Sequence, residues 1–330
     1  MSGRAVRIGV AGLGYWGPNL ARNFDDLPEA ELAWLCDSDD GRLARYRARY
    51  PAARTSAHFH DLLADDRLDA VAIATPVVTH HDLAREALLA GKHVFVEKPL
   101  AVAASDAEAV VALAEERGLV LMPGHLLLYH PGVARLKELV DSGTLGRVLY
   151  VYGNRQNLGQ IRRDENALWS LGAHDLSVIL HLVGDEPTDL WARGKALLGD
   201  VEDVVFCYLE FPSGIVAHMH LSWLDPHKMR RMTVVGTKKM AVFDDMELER
   251  KVTVFEKAAE QAAETYGEWR TRTGDIYSPK VPNDEPLRLE CERFLSLVRG
   301  EGDSTPVARN GLAVVRVLEQ LQQSLEREPV

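Results

Sequence analysis

The sequence predicts a two-part chain. An N-terminal α/β Rossmann domain with a doubly wound parallel sheet comes first, and an α+β C-terminal domain with a large, mostly antiparallel sheet follows. Three observations predict it. Strand-like apolar runs alternate with helical segments through the first third of the chain. The first run, Val6 to Ala11, feeds straight into Gly12-Leu13-Gly14-Tyr15-Trp16-Gly17, a G-x-G-x-x-G in its required place between strand and helix. After about residue 125 the rhythm changes to neighbouring strands separated by turn signals.

In the first part, strand 6–11 leads to a helix from about 15 to 26, with Pro18 tolerated in its first turn. Strand 31–36 leads to an Arg-rich helix near 41–49, and 59–65 forms a short helix. The run 70–74 is continuously apolar and bounded by Thr75-Pro76, as expected of a strand buried on both faces. Helix 79–90 stops at Gly91, strand 93–96 follows, and helix 105–117 stops at Gly118 before strand 119–122. In the second part a helix near 131–141 precedes strands at 147–156, 188–197, 201–211, 214–224, 230–236 and 239–244. Phe211 to Ile215 reads as a hairpin turn, and a helix at 173–183 interrupts the strands. The polar stretch 255–285 reads as helix plus loop, and amphipathic helices at 286–299 and 309–326 close the chain. The expected domains are 1–125 and 126–330.

Composition narrows the partners. The 330 residues carry 38 basic and 49 acidic side chains, so the formal charge is −11. Such a surface repels nucleic acid and anionic membranes, and neither is expected as a partner. Cys36, Cys207 and Cys291 are far apart and form no C-x-x-C, which argues against a disulfide framework or a metal site. The first strand begins too early to leave room for a signal peptide, and no stretch reaches the ~18 apolar residues of a membrane span. The expected location is the cytoplasm.

Asp37 ends the second strand run and lies 20 residues beyond Gly17, the place of the acidic partner of a dinucleotide fingerprint. Gly12 allows the tight turn, Gly14 a close backbone approach to a pyrophosphate, and Gly17 close helix–strand packing. Asp37 would accept the adenosine ribose hydroxyls and repel a 2′-phosphate, so NAD is favoured over NADP, with Arg42 as the residue that could reverse this. Three further clusters stand out. Thr75-Pro76-Val77-Val78-Thr79-His80 follows a strand end, where open α/β sheets bind ligands, although a Thr-Pro turn capping the next helix would look the same. Glu97-Lys98-Pro99 follows the next strand; it reads as a proton donor beside the cofactor or as a solvated pair in a turn. Trp169 to Asp175 begins the interrupting helix, where His174 is a candidate general base whose pKa a positive helix end would hold down. A His packed on the sheet is the other reading.

Taken in order, these clusters resemble the Gfo/Idh/MocA family of NAD(P)-dependent oxidoreductases. The resemblance covers almost the whole chain and is most specific in Ala90-Gly91-Lys92-His93-Val94-Phe95-Val96-Glu97-Lys98-Pro99-Leu100. Asn157-Leu158-Gly159 with Arg162, followed by 168–175, looks like members that oxidise a ring hydroxyl of nucleotide-sugars; free sugars and cyclitols are the other substrate classes implied. The resemblance implies that Lys98 bonds the reacting oxygen and that His174 takes the proton of a secondary alcohol. Members often carry Asp four residues before this His; Ser170 stands there, and a serine supplies no charge.

The cofactor set expected is therefore Gly12, Gly14, Tyr15, Trp16, Gly17, Asp37, Ser38, Thr75, Pro76, His80, Glu97 and Lys98. On the substrate side are Arg155, Asn157, Arg162, Trp169 and His174, within a donor-rich stretch 155–163. That stretch also reads as a solvated basic loop. Tyr129, His130 and His125 are similar candidates. Two competing functions remain at this level: a non-redox enzyme that uses NAD transiently, glycosidase-like, and a non-catalytic NAD-binding regulator. A one-sided sheet in the second part predicts a homodimer or homotetramer.

Overall fold

The computed structural model describes residues 4–159, 161–163, 165–261 and 268–326. In chain order the elements are β1 (Val6–Ala11), α1 (Gly17–Asp26), β2 (Ala30–Cys36), α2 (Asp40–Arg49), β3 (Arg54–Ser56), α3 (Phe59–Leu63), β4 (Ala70–Ile73), α4 (His80–Leu89), β5 (His93–Glu97), α5 (Ala104–Arg117) and β6 (Leu121–Gly124). There follow α6 (Pro131–Asp141), β7 (Val148–Gln156), α7 (Ala173–Val183), β8 (Asp189–Lys195), β9 (Val204–Glu210), β10 (Val216–Ser222), β11 (Met229–Gly236), β12 (Met240–Asp244), β13 (Val252–Gln261) and β14 (Trp269–Tyr277). Helices α8 (Pro286–Val298) and α9 (Thr305–Glu326) complete the chain.

Two compact units divide the chain: 1–126 with 285–316, and 127–284 with 317–330. The division differs from the expected cut at 125/126, because the chain returns to the first unit with α8 and the first half of α9. Packing explains the return. Phe294 of α8 meets Phe24 and Phe95 edge-on, and Ala308, Leu312 and Val315 of α9 join the cluster that holds Ala107, Val110 and Leu121. An amphipathic stripe in sequence does not say which sheet it will cover.

The first unit is a six-stranded parallel sheet ordered β3-β2-β1-β4-β5-β6. Its central strands β4 and β5 bury Val71, Ile73, Val94 and Val96 completely, as strands covered on both faces must. The order reverses at β1/β4, and at such a point the loops beyond the strand ends diverge and leave a crevice. β3 escaped the sequence reading because three residues, Arg54-Thr55-Ser56, are too few to show a period.

The second unit is an eight-stranded sheet ordered β14-β13-β12-β11-β7-β10-β9-β8, antiparallel except for the β7–β10 pair. One face is buried, through residues such as Val151, Ala192, Val205, Cys207, Met219 and Val234. The stretch expected as helix plus loop is instead mostly the edge hairpin β13–β14. Every residue of β14 is exposed, so the strand lacks the apolar alternation that would have marked it. Its backbone ladder is joined by a cross-strand charge pair, Arg272 to Glu260 at 2.8 Å.

Candidate functional site

The glycine loop is shaped by close approach. Gly12 has φ +90°, and a Cβ there would lie 2.5 Å from the Ala74 carbonyl oxygen. A Cβ on Gly17 would stand 1.7 Å from the Gly12 oxygen, so α1 begins against the turn itself. At Gly14 the nearest neighbour of a Cβ would be Arg42 Nη1 at 3.8 Å, which leaves the loop open on that side. Asp37 follows β2, is buried, and faces the loop: its Oδ2 accepts the Leu13 N–H at 2.6 Å and its Oδ1 the Asp39 N–H at 2.9 Å. Arg42 Nη1 lies 3.5 Å from Asp37 Oδ2. Tyr15 is exposed and Trp16 half-buried, with their rings stacked at 6.5 Å; Ser38 is exposed. This cradle fits a dinucleotide: two positions reject any side chain, a third is open, and a carboxylate closes the β2 end.

The Thr75 loop and the Glu97 turn are tied by one histidine. His80 is buried; its Nδ1 lies 2.8 Å from the Pro99 oxygen and its Nε2 2.9 Å from the Thr75 oxygen. Burial lowers the His80 pKa, against the two carbonyl contacts that favour the charged form. A neutral imidazole donates from one nitrogen, so protonation would complete both bonds. Pro76 caps the loop by accepting the Thr79 hydroxyl at 2.8 Å, and that hydroxyl also meets Thr75 Oγ1 at 2.7 Å. Lys98 is half-buried at the end of β5, and the Lys98–Pro99 peptide is cis. Glu97 Oε2 accepts the Lys98 N–H at 3.3 Å, and burial pushes the Glu97 carboxyl up to about 8. His125, at the end of β6, is buried with neither ring nitrogen hydrogen-bonded, and burial drives its pKa down to about 3.

In the second unit the helical run starts earlier than the sequence reading placed it. A π-helical turn over Leu168–Gly172 runs into α7, and Asn166 caps it, its Oδ1 accepting the Trp169 N–H at 3.2 Å. His174, half-buried, therefore sits inside a continuous helical run, and the argument that a free helix end tunes it does not hold. Ser170 is one turn before it and buried. Trp169 donates its indole N–H to Gln322 at 3.2 Å.

Arg155, expected on the substrate side, is held by an acid of α7. It is buried, with Nε and Nη2 each 2.7 Å from Asp175 Oδ1. Removing one partner of such a buried pair costs about 3–5 kcal/mol, so the guanidinium is committed to Asp175. Gly153 makes room: a Cβ there would be 2.8 Å from Asp175 Oδ2. Both Arg155 bonds fall on Asp175 Oδ1, and its Oδ2 is buried without a hydrogen-bond partner. His130 is also committed, accepting the Gly132 N–H at 2.9 Å and lying 3.4 Å from Asp245. Asn157 is half-buried, while Arg162 is exposed and pairs with Glu165 at 2.5 Å. Gln160 lies outside the described residues. Sequence reasoning missed Asn166 and Glu290. Asn166 precedes an apolar run as caps do, and Glu290 is an acid inside the apolar stripe of α8.

The chain is similar to known proteins. The family description "Oxidoreductase family, NAD-binding Rossmann fold" matches residues 6–125, and "GFO/IDH/MocA C-terminal domain" matches residues 133–242. The chain is 28% identical to scyllo-inositol 2-dehydrogenase (NAD(+)) of Bacillus subtilis, over 92% of this chain and 88% of that protein. It is 29% identical to UDP-N-acetylglucosamine 3-dehydrogenase of Acidithiobacillus ferrooxidans, over 95% and 94%. A solved structure of the latter superposes with a TM-score of 0.82 over 98% of both chains, at 27% identity. The cradle, the Glu97-Lys98-Pro99 turn and both matched regions make this chain a member of the Gfo/Idh/MocA oxidoreductase family.

Proposed function

We propose that this protein is an NAD-dependent oxidoreductase that moves a hydride between nicotinamide and a secondary alcohol or ketone of a sugar, nucleotide-sugar or cyclitol. The observation that carries it is the shared carboxyl edge of one sheet: the glycine cradle and Asp37 stand at the ends of β1 and β2, and Lys98 at the end of β5. Relatives that oxidise a cyclitol and a nucleotide-sugar agree with this reading. NAD, when bound, supplies the hydride acceptor. The first-turn N–H groups of α1 would meet its pyrophosphate, and Asp37 its adenosine ribose. Lys98 would donate to the reacting oxygen, and His174 would hold the alcohol proton. NAD is favoured by the fixed Asp37 carboxylate, while Arg42 is the group that would admit NADP.

The sheet of the second unit supports a homodimer or homotetramer. Opposite its buried face, Tyr152, His218, Tyr208 and Trp191 stand directly across four successive strands. Tyr152 stacks on His218 at 4.9 Å and Trp191 on Tyr208 at 5.7 Å, while Trp191 and Phe206 are 43% and 47% exposed. A second copy would cover such a row. No helix among the described residues is long and apolar enough to cross a membrane.

The test is NADH formation with scyllo-inositol and UDP-N-acetylglucosamine as first substrates. Lys98→Ala and His174→Ala should each lower kcat/KM by about 10²–10⁴ while NAD binding persists. Net NADH accumulation from one substrate excludes the transient-NAD reading. No turnover across sugars, nucleotide-sugars and cyclitols, with NAD bound, would leave the regulator.

A further inference from the structure

We propose that His80 is a positioning residue for Lys98: its imidazole, set between the carbonyls of Thr75 and Pro99, donates from Nδ1 to Pro99 and so holds the turn through which the lysine leaves β5. The role assigned to Lys98 rests on the oxidoreductase reading; the bond to Pro99 does not.

His80 opens α4, and that helix is a firm base. Its Ala84, Ala87 and Leu88 are buried in the cluster that also holds Val96, Leu100 and Ala101, on either side of Glu97-Lys98-Pro99. From this base the His80 ring reaches the turn and is itself buried. Nδ1 lies 2.8 Å from the Pro99 oxygen and Nε2 2.9 Å from the Thr75 oxygen. Two acceptors therefore face a ring that, when neutral, donates from one nitrogen. Burial lowers the His80 pKa against the pull of the two carbonyls, and the Lys98 charge adds to the lowering. At neutral pH one proton thus serves two carbonyls.

Enclosure decides between them. The contact with Pro99 is buried, while the one with Thr75 is partly open to solvent. A buried carbonyl left without a donor bears the full cost of its lost water, whereas an open one turns to solvent. The proton therefore belongs on Nδ1, facing Pro99. The Thr75 loop has ties of its own, since the Thr79 hydroxyl donates to the Pro76 oxygen at 2.8 Å and meets Thr75 Oγ1 at 2.7 Å. On the other side of the turn, the Lys98 N–H reaches Glu97 Oε2 at 3.3 Å, a long bond. The Pro99 ring fixes its own φ, so an anchored Pro99 carbonyl leaves the Lys98 backbone little room to turn. His80 thereby joins the position of Lys98 to a packed helix rather than to the turn alone.

Heteronuclear NMR of the isotope-labelled full chain without cofactor tests the bond. A His80 ring that carries a proton on Nδ1 at neutral pH is the expected result; a proton on Nε2 alone overturns the proposal. The positioning role is read from two substitutions that each keep one donor. The side-chain nitrogen of Asn stands as many bonds from Cβ as Nδ1 does, and that of Gln as many as Nε2. His80→Asn therefore keeps the bond to Pro99, and His80→Gln keeps only the contact with Thr75. Both rates are taken well below the melting temperature of either variant, so that loss of fold does not enter. The kcat of the Asn variant should exceed that of the Gln variant by about tenfold or more, because misplacing a reacting group by about 1 Å carries a cost of that order or larger. The KM for the substrate should be close in the two. Equal kcat values, or a faster Gln variant, overturn the positioning role. A wild type that turns over no sugar, nucleotide-sugar or cyclitol removes the oxidoreductase reading and the role of Lys98 with it, and the NMR result still decides the bond.

Discussion

Asp37 is the residue on which cofactor choice turns. Bonds from Leu13 and Asp39 fix both carboxylate oxygens, so the charge cannot swing away from an incoming 2′-phosphate. Arg42, 3.5 Å away, is the nearest cation to take that phosphate once the carboxylate is gone. Asp37→Ser should therefore change the ratio of NAD to NADP affinity by about tenfold or more in favour of NADP, a shift of roughly 1.4 kcal/mol. Fluorescence titration with each reduced cofactor measures it, and an unchanged ratio would remove Asp37 from the reading. Arg155 gives the opposite lesson. Its type and its place at the end of β7 suggest ligand binding, and the structure adds a buried partner, Asp175, that the sequence did not announce.

At the scale of elements, the open face of the eight-stranded sheet carries the next prediction. Its aromatic row depends on direct cross-strand pairing, so one residue of slip in register would turn the row inward. With Trp191 and Phe206 both changed to Asp, sedimentation equilibrium should report a smaller species than wild type, with the far-UV spectrum unchanged. A wild-type monomer, or the same mass in the double variant, would dismiss the oligomer. The helix that carries His174 shows how local signals mislead. The sequence marks a helix start near the histidine, whereas the structure extends the run back to an Asn166 cap through a π-helical turn. The Asn166 side chain is held in turn by Glu202 and Gln322, at 2.8 and 2.9 Å, and neither is near it in sequence.

For the whole molecule, buried ionisable groups make stability depend on pH in opposing ways. His125 stays neutral in the fold with a pKa near 3 rather than 6.5, so its contribution is complete above 6.5 and is lost as pH falls toward 3. Glu97 runs the other way: raised from 4.5 to about 8, it contributes fully below 4.5 and loses that contribution as pH rises through 8. Since neither His125 nitrogen has a partner, His125→Leu should leave the melting temperature above pH 6.5 nearly unchanged and flatten its fall on the acid side. An acid limb of unchanged slope would show that His125 does not govern it. The sequence alone determined the parallel sheet, the glycine cradle with Asp37, the Glu97-Lys98-Pro99 turn and most strands of the second sheet, because each rests on a local period or on a motif of fixed spacing. It missed the β13–β14 hairpin, since an exposed edge strand carries no apolar alternation. Only the tertiary structure decided that α8 returns to the first unit and buries Glu290, that Asp175 pairs with Arg155, and that His125 is buried without partners. Charge state and availability follow from burial and from which neighbour takes each lone pair, and those depend on contacts between segments far apart in the chain.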